Sequence, residues 1–422
     1  MNNANYFNWK PFSNTAVSMI ANSDAWINIA VGSVRSGKTI AVLTRFIEFI
    51  LTSEHSEFMM VGKTLNSLDR NVVKPMKKML NSLGIEFKHN RYLNEIYFYD
   101  NTISLFGVGK SGDDEKIQGS TFAGTLIDEA TVIPEENYKM ILSRNSLSGA
   151  SIFITCNPSN PHHYLYTEYL TNQKLLENQT VKKWKFLLED NTTLSDQYIK
   201  NLKASYPEDS LFYKRYILGE WVSGQGAIYD TFTDDNIYYD DYNKENYLWL
   251  GVGSDYGVST TTCYSLIGKT VDGRYQVIAE RYYNAEKEGI SQSDKQRVDD
   301  IYKLQQDYQL DNRVTFYCSH DAGNLKMALL QDPRIKMNID TFTPDTLECI
   351  QHISQLFYEN KLQIHYSCTE TIKQIKNYEW DLRASQKGID KPVKKDDHLP
   401  DSIRAPIITD GGNSMIGGLF SL

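Results

Sequence analysis

The chain alternates short apolar runs with longer stretches in which apolar positions recur every three or four residues. This is the pattern of strands followed by amphipathic helices. It is clearest over residues 26–51. There Ile27, Ile29 and Val31 form a run of strand length, a glycine-containing turn covers residues 32–39, and Ile40, Val42, Leu43, Phe46, Ile47 and Ile50 follow at helical spacing. Residues 57–63 read as a buried strand and 64–83 as a helix. Residues 92–108 read as a hairpin whose strands, 95–100 and 102–106, flank an Asp100-Asn101 turn. Residues 124–127 and 151–156 are further short buried strands. Strands and helices alternating through residue 222 predict an α/β fold with a mostly parallel sheet covered by helices on both faces.

The pattern breaks at residues 219–227, where Gly219, Gly224 and Gly226 precede an acidic, tyrosine-rich stretch. Beyond it, residues 247–257, 260–269 and 274–284 form three strands of an antiparallel meander, turning at Asp272-Gly273. A helix over 291–308 and a fourth strand over 314–321 complete a second, mixed sheet. The expected division is therefore a first domain 1–222, a linker 223–245 and a second domain 246–422. Residues 410–422, with Gly411, Gly412, Gly417 and Gly418, read as a flexible tail whose Leu419-Phe420 could dock a partner.

Composition narrows the class. With 422 residues there is room for two or three domains, and 41% hydrophobic against 23% charged residues is an ordinary globular balance. No apolar run approaches the roughly 20 residues that cross a bilayer, so no membrane is expected. The N-terminus lacks a basic-then-apolar export signal. Five scattered cysteines without a C-x-x-C pair argue against a zinc site or a disulfide framework and suit a reducing compartment. A net charge of −9 does not announce a nucleic-acid binder, but it leaves room for a local basic path. Arg70, Lys74, Lys77 and Lys78, and later Lys387, Lys391, Lys394 and Lys395, are candidates for one; solvated faces are the competing reading.

The glycine turn carries the first chemistry. Gly32-Ser33-Val34-Arg35-Ser36-Gly37-Lys38-Thr39 has the G-x4-G-K-T spacing of a P-loop, between a strand and a helix as that motif requires. Its backbone N–H groups and the helix N-terminus would cradle phosphates, Lys38 would reach the β- and γ-phosphates, and Thr39 would hold Mg²⁺. The strand 124–127 ends in Asp128-Glu129, which places Asp128 near the Mg²⁺ and Glu129 where it can orient and deprotonate the attacking water. Thr155 and Asn157, at the end of the next strand, are candidates for a γ-phosphate sensor, with a strand capped by an Asn-Pro turn as the alternative. Arg35 and Arg144 are candidates for a transition-state arginine, Arg35 being preferred. Tyr6, Phe7, Trp9 and Phe12 could cover an adenine base or simply pack at the N-terminus.

The second half carries three distant acidic centres: Asp255 and Asp321 at strand ends, and Asp397-His398-x-x-Asp401 near the C-terminus. Carboxylates from a first strand, a fourth strand and a late helix are how an RNase H-like nuclease gathers two Mg²⁺ or Mn²⁺ ions. Asp255, Asp321 and Asp401 are the candidate ligands. Asp397 could join them, and His398 could orient a ligand or shuttle a proton.

A P-loop ATPase of the ASCE type followed by an RNase H-like nuclease resembles the large terminase subunit of tailed bacteriophages and prophages. VGSVRSGKT, TLIDEA, ITCNPSNP, LGEWVSGQG, SDYG and DHLPDSIR stand in that family's order across nearly the whole chain. The resemblance implies a viral DNA-packaging motor. ATP hydrolysis would drive double-stranded DNA into the prohead, and the nuclease would cut concatemeric DNA. The motor would be a homo-oligomeric ring, expected to be a pentamer, on the portal protein, with a small terminase subunit selecting the site. The isolated chain would be a monomer or weak oligomer, working in the host cell cytoplasm, bound only transiently to the prohead and absent from the mature virion. By the matching motifs, Lys38 and Thr39 contact phosphate and Mg²⁺, Asp128 partners the Mg²⁺, Glu129 is the catalytic base, and Asp255, Asp321 and Asp401 are nuclease ligands. Two departures stand out. Residues 116–121 lack the arginine that some relatives place there, and Asp321 sits in SHDAGN instead of the commoner Asp-Ser form. The competing readings are a helicase-like translocase whose C-terminal domain only clamps DNA, a small-molecule phosphotransferase, and a non-catalytic assembly factor.

Overall fold

The computed structural model describes residues 5–257, 261–319, 321–342 and 345–411. The tail with Leu419-Phe420 lies outside the described residues.

The first sheet has strands β1 Ile27–Gly32, β2 Glu57–Gly62, β3 Lys88–Asn90, β4 Glu95–Phe98, β5 Asn101–Gly107, β6 Gly124–Ile127, β7 Ser151–Cys156 and β8 Val181–Phe186. Their spatial order is β3-β4-β5-β2-β6-β7-β1-β8. The pairs β3-β4 and β4-β5 are antiparallel; the rest are parallel. β1 and β7 are buried along their whole length, as expected of strands covered on both faces. Alternate side chains feed two cores. Phe58, Met60 and Phe153 face one, with Phe46 from the helix Lys38–Thr52. Met59, Ile127, Ile152 and Ile154 face the other, with Tyr138.

Two readings shift. The hairpin turns at Tyr99-Asp100, because Phe98 pairs with Asn101 and Tyr99 takes a positive φ of 49°. The helix expected over 64–83 is helical from Leu65 to Ser82, but a π-helical stretch, Asp69–Val73, interrupts it.

The second sheet is built from β9 Ile237–Tyr238, β10 Tyr247–Tyr256, β11 Thr261–Thr270, β12 Tyr275–Asn284, β13 Thr315–Cys318, β14 Asn338–Thr341 and β15 Leu362–His365. Their order is β14-β13-β10-β11-β12-β15-β9. The antiparallel meander β10-β11-β12 is present, and β13 lies parallel beside β10. A helix, Thr346–Tyr358, covers this sheet; it was not read from the sequence.

The stretch between the sheets is packed. Ile228, Tyr229 and Phe232 are buried in a core that also holds Val34, Leu202, Phe212 and Ile217 from the first half and Ile350, Ile353 and Phe357 from the second. Polar contacts cross the same boundary. Arg215 and Asp390 form an ion pair at 2.5 Å with side chains only 4% and 1% exposed. Asn160 donates to Asp390 and to Ser385, each at 2.8 Å. Lys63, just past β2, meets Asp345, the N-cap of the helix Thr346–Tyr358, at 2.6 Å.

Candidate active sites

The motif residues of the first half meet at the C-terminal ends of the parallel strands, the usual place for a site in an open α/β sheet. They line a cavity of about 270 Å³ bounded by residues 34–40, Asp128, Glu129, Thr155, Asn157 and Asn191. Gly32 lets the loop start here. Its φ is +149°, and a Cβ at that position would stand 1.8 Å from the carbonyl oxygen of Phe186, so only glycine fits against β8. The amides of Ser33 and Val34 donate to the carbonyls of Phe186 (2.9 Å) and Tyr216 (3.0 Å), so both are spent on anchoring the loop. The rest of the loop and the first turn of the helix Lys38–Thr52 line the cavity and are the candidate phosphate cradle.

Lys38 is buried, and its Nζ donates to the carbonyls of Gly32 (3.1 Å) and Ser33 (2.5 Å) and to Asn157 Oδ1 (3.0 Å). Burial pulls its pKa down to about 8, against the pull of Glu129 and Asp128. Asp128 accepts from Thr155 Oγ1 (2.8 Å) and from Asn71 Nδ2 (3.4 Å). Burial holds its pKa above the usual carboxylate range. Glu129 adopts a left-handed conformation at φ 53°, which turns its N–H onto Thr155 Oγ1 at 3.1 Å. A non-glycine residue there costs of order 1 kcal/mol, which the surrounding contacts must hold in place. Burial, with Asp128 adding to it, pushes the Glu129 carboxyl up to about 7.

Thr155 thus bridges the two acids, and Asn157 touches the lysine. Of the arginine candidates, Arg35 lines the cavity, with its guanidinium 5.7 Å from the Tyr198 ring centre. Arg144 does not line it; its Nη2 donates to Met140 Sδ within its own helix. Phe7, Trp9, Pro11 and Phe12 line the cavity, which suits the base-covering reading, while Phe7 and Phe12 also pack on the core. Asn71 was missed. It reaches Asp128 only through the π-helical stretch, a local irregularity common at functional sites. Its one trace in the sequence is a polar residue beside the buried Leu68, Val72 and Val73.

A second cluster forms on the other sheet. Asp255 ends β10, and the short helix His398–Ser402 packs across β10 and β11. Gly253 permits that approach, since a Cβ there would meet the carbonyl oxygen of Ser402 at 1.8 Å. His398 Nδ1 is then 2.7 Å from Asp255 Oδ2. The Asp255 carboxylate raises the His398 pKa above its ordinary value, against burial. Lys394 Nζ lies 2.8 Å from Asp397 Oδ2 and 3.2 Å from Asp401 Oδ2. Asp401 also pairs with Arg404 at 2.8 Å and accepts from the Tyr378 hydroxyl at 3.3 Å. Burial raises the Asp401 pKa, opposed by Arg404 and Lys394.

Asp321 is exposed just past β13, where Gly253 of β10 stands opposite Tyr317. Asp255 and Asp321 therefore lie at the ends of neighbouring strands. Among the described residues, no set of three or more His, Cys, Asp or Glu side chains is gathered closely enough to hold a metal ion. Each carboxylate of the 255/397/401 cluster is instead faced by a cation or a histidine. Lys391, from the second basic run, is 4.0 Å from Asp381. In the first run, Lys77 contacts His89, and Lys74 stands 3.9 Å from Asp69.

A family model described as terminase large subunit, T4likevirus-type, N-terminal, matches residues 29–233. The large terminase of a thermophilic bacteriophage is 30% identical over 95% of this chain and 99% of that one, with a TM-score of 0.86. The complex of that terminase with ADP is 29% identical over 96% and 100%, with a TM-score of 0.85. Its complex with ATP-gamma-S is 30% identical over 94% and 99%, with a TM-score of 0.83. No curated protein matches the sequence.

Proposed function

Because the chain belongs to the large-subunit family of phage terminases, we propose that it is an ATP-driven motor subunit that moves double-stranded DNA into a viral prohead and cuts it with a metal-dependent nuclease. The division proposed is an ATPase over 1–222 and a nuclease over 246–422, joined through 223–245.

In the first site, ATP binds with its phosphates on the turn 35–39. Lys38 exchanges its carbonyl partners for phosphate oxygens, and Thr39 and Asp128 are placed to hold Mg²⁺. Glu129 takes the proton of the attacking water. Thr155 and Asn157 pass the state of the γ-phosphate to the acids and the lysine.

In the second site the donors are hard oxygens, the class that suits Mg²⁺ or Mn²⁺, and an ammonium already stands between Asp397 and Asp401 where a cation is needed. Asp255, Asp321, Asp401 and Asp397 would hold the ions, which would supply an activated water and stabilise the leaving oxygen. His398 orients Asp255 through its 2.7 Å contact and can move a proton near neutral pH. That contact, between residues 143 apart in sequence, is the observation that best supports a built nuclease site over a mere DNA clamp. The portal protein, a small terminase subunit and a ring of identical subunits in the host cytoplasm are the partners this reading requires.

The decisive experiment is plasmid cleavage by the purified protein in Mn²⁺, Mg²⁺ or EDTA, beside Asp321→Ala. Nicking that needs metal and vanishes in the variant is expected. Well-folded protein that hydrolyses ATP but cuts nothing in either metal would favour the clamp-type translocase.

The ATPase reading makes its own prediction. With Glu129 near 7 and Lys38 near 8, kcat/KM for ATP is expected to fall below pH 7, where the base is protonated, and again above pH 8, where the lysine loses its charge. Steady-state rates across pH 5.5–9.5 check it (roughly tenfold per unit on each limb). A flat profile would overturn the roles of both groups.

A further inference from the structure

The three basic side chains at the second site are held differently. Arg404 is buried, and His398 is part of the helix that carries Asp401. Lys394 belongs to the preceding loop, and its side chain is 72% exposed, yet it meets Asp397 and Asp401, whose side chains are only 6% and 18% exposed. A lysine in solvent gains little from an ion pair and loses rotamer freedom in making one. The carboxylates have the stronger need. Asp397 and Asp401 are four residues apart at one short helix, with the Asp401 N–H bonded to the Asp397 carbonyl at 3.0 Å. Two carboxylates packed so closely repel each other unless a cation stands between them.

We propose that the Lys394 ammonium is a placeholder for a divalent ion: it bridges Asp397 and Asp401 while no metal is bound and must swing away before one can enter. This rests on the second cluster being a metal site. A divalent ion brings two positive charges to the oxygens that now share one, and the lysine cannot remain beside it without repulsion. Its exposure gives it an unobstructed way out. The same contact keeps the repulsion between Asp397 and Asp401 in check when metal is scarce.

Mn²⁺ titrated calorimetrically into wild type, Lys394→Gln and Lys394→Arg, without DNA, tests the proposal, with melting temperature followed alongside. Lys394→Gln is expected to bind Mn²⁺ more tightly, on the order of tenfold, because the ion no longer displaces a charge. Without metal it should melt below wild type, and it should gain more from added Mn²⁺. Lys394→Arg, which keeps the cation, should stay near wild type. Equal or weaker Mn²⁺ binding by Lys394→Gln would overturn the placeholder role while leaving the metal site standing. No heat of Mn²⁺ binding in any of the three proteins would overturn the metal-site reading and the placeholder with it.

Discussion

Glu129→Gln is expected to lower ATP turnover by on the order of 10²- to 10⁴-fold, the usual share of a positioned general base. Glutamine keeps the size and the backbone of the residue, so the left-handed turn at φ 53° and the N–H contact to Thr155 Oγ1 should survive. Lys38, the turn 35–39 and Thr39 are untouched, so ATP should still bind. Binding is in fact expected to tighten slightly, since one acid is removed from beside the phosphates. Equilibrium binding of a fluorescent ATP analogue, read against turnover, separates the two effects. Loss of binding along with turnover would mean that Glu129 supports the loop and that the proton goes elsewhere. Retained turnover would move the role of base to another group near the γ-phosphate.

Asp390→Ala is expected to destabilise the whole chain by about 3–5 kcal/mol, the cost of leaving a buried charge alone. Arg215 is held on two sides. Its Nε donates to the Val222 carbonyl at 2.9 Å and its Nη2 pairs with Asp390 at 2.5 Å, with both side chains almost wholly enclosed. Removing the aspartate also strips Asn160 and the Gly224 amide of an acceptor. The double variant Arg215→Met/Asp390→Leu should recover part of the loss, because the buried charge is gone while Asn160 and the Gly224 amide still lack their acceptor. Urea unfolding monitored by tryptophan fluorescence measures both. A loss below about 1 kcal/mol for Asp390→Ala would mean that water reaches Arg215 in the variant.

What the sequence made legible follows from how each feature is encoded. The P-loop, Asp128-Glu129 and the strands beneath them are encoded locally, as contiguous residues with a period of their own, so position and chemistry were read together. The meander β10-β11-β12 was legible for the same reason. β14 was not: its Asn-Ile-Asp-Thr has one apolar side chain and is a strand only because β13 lies beside it. β9 is two residues pairing with β15. Asn71, Lys63 and Asp390 do their work through partners 57, 282 and 175 residues away, and no local pattern announces such contacts. At the second site the residue types were readable. The cations set among the carboxylates were not, because Lys394 looks in sequence like any other member of a basic loop.

The core shared between the two halves has a consequence for how the chain can be taken apart. Val34 of the P-loop and Ile217, beside it, pack in one cluster with Ile350, Ile353 and Trp380. Cutting after residue 222 would therefore bare an apolar face directly behind the nucleotide loop and strand Arg215 in it. The first half alone is thus expected to aggregate and to hold nucleotide more weakly than the intact chain, which light scattering and nucleotide titration of residues 1–222 would check. Heating the intact chain should disrupt both sheets in one cooperative transition, so nucleotide bound in the first half raises the temperature at which the second half melts.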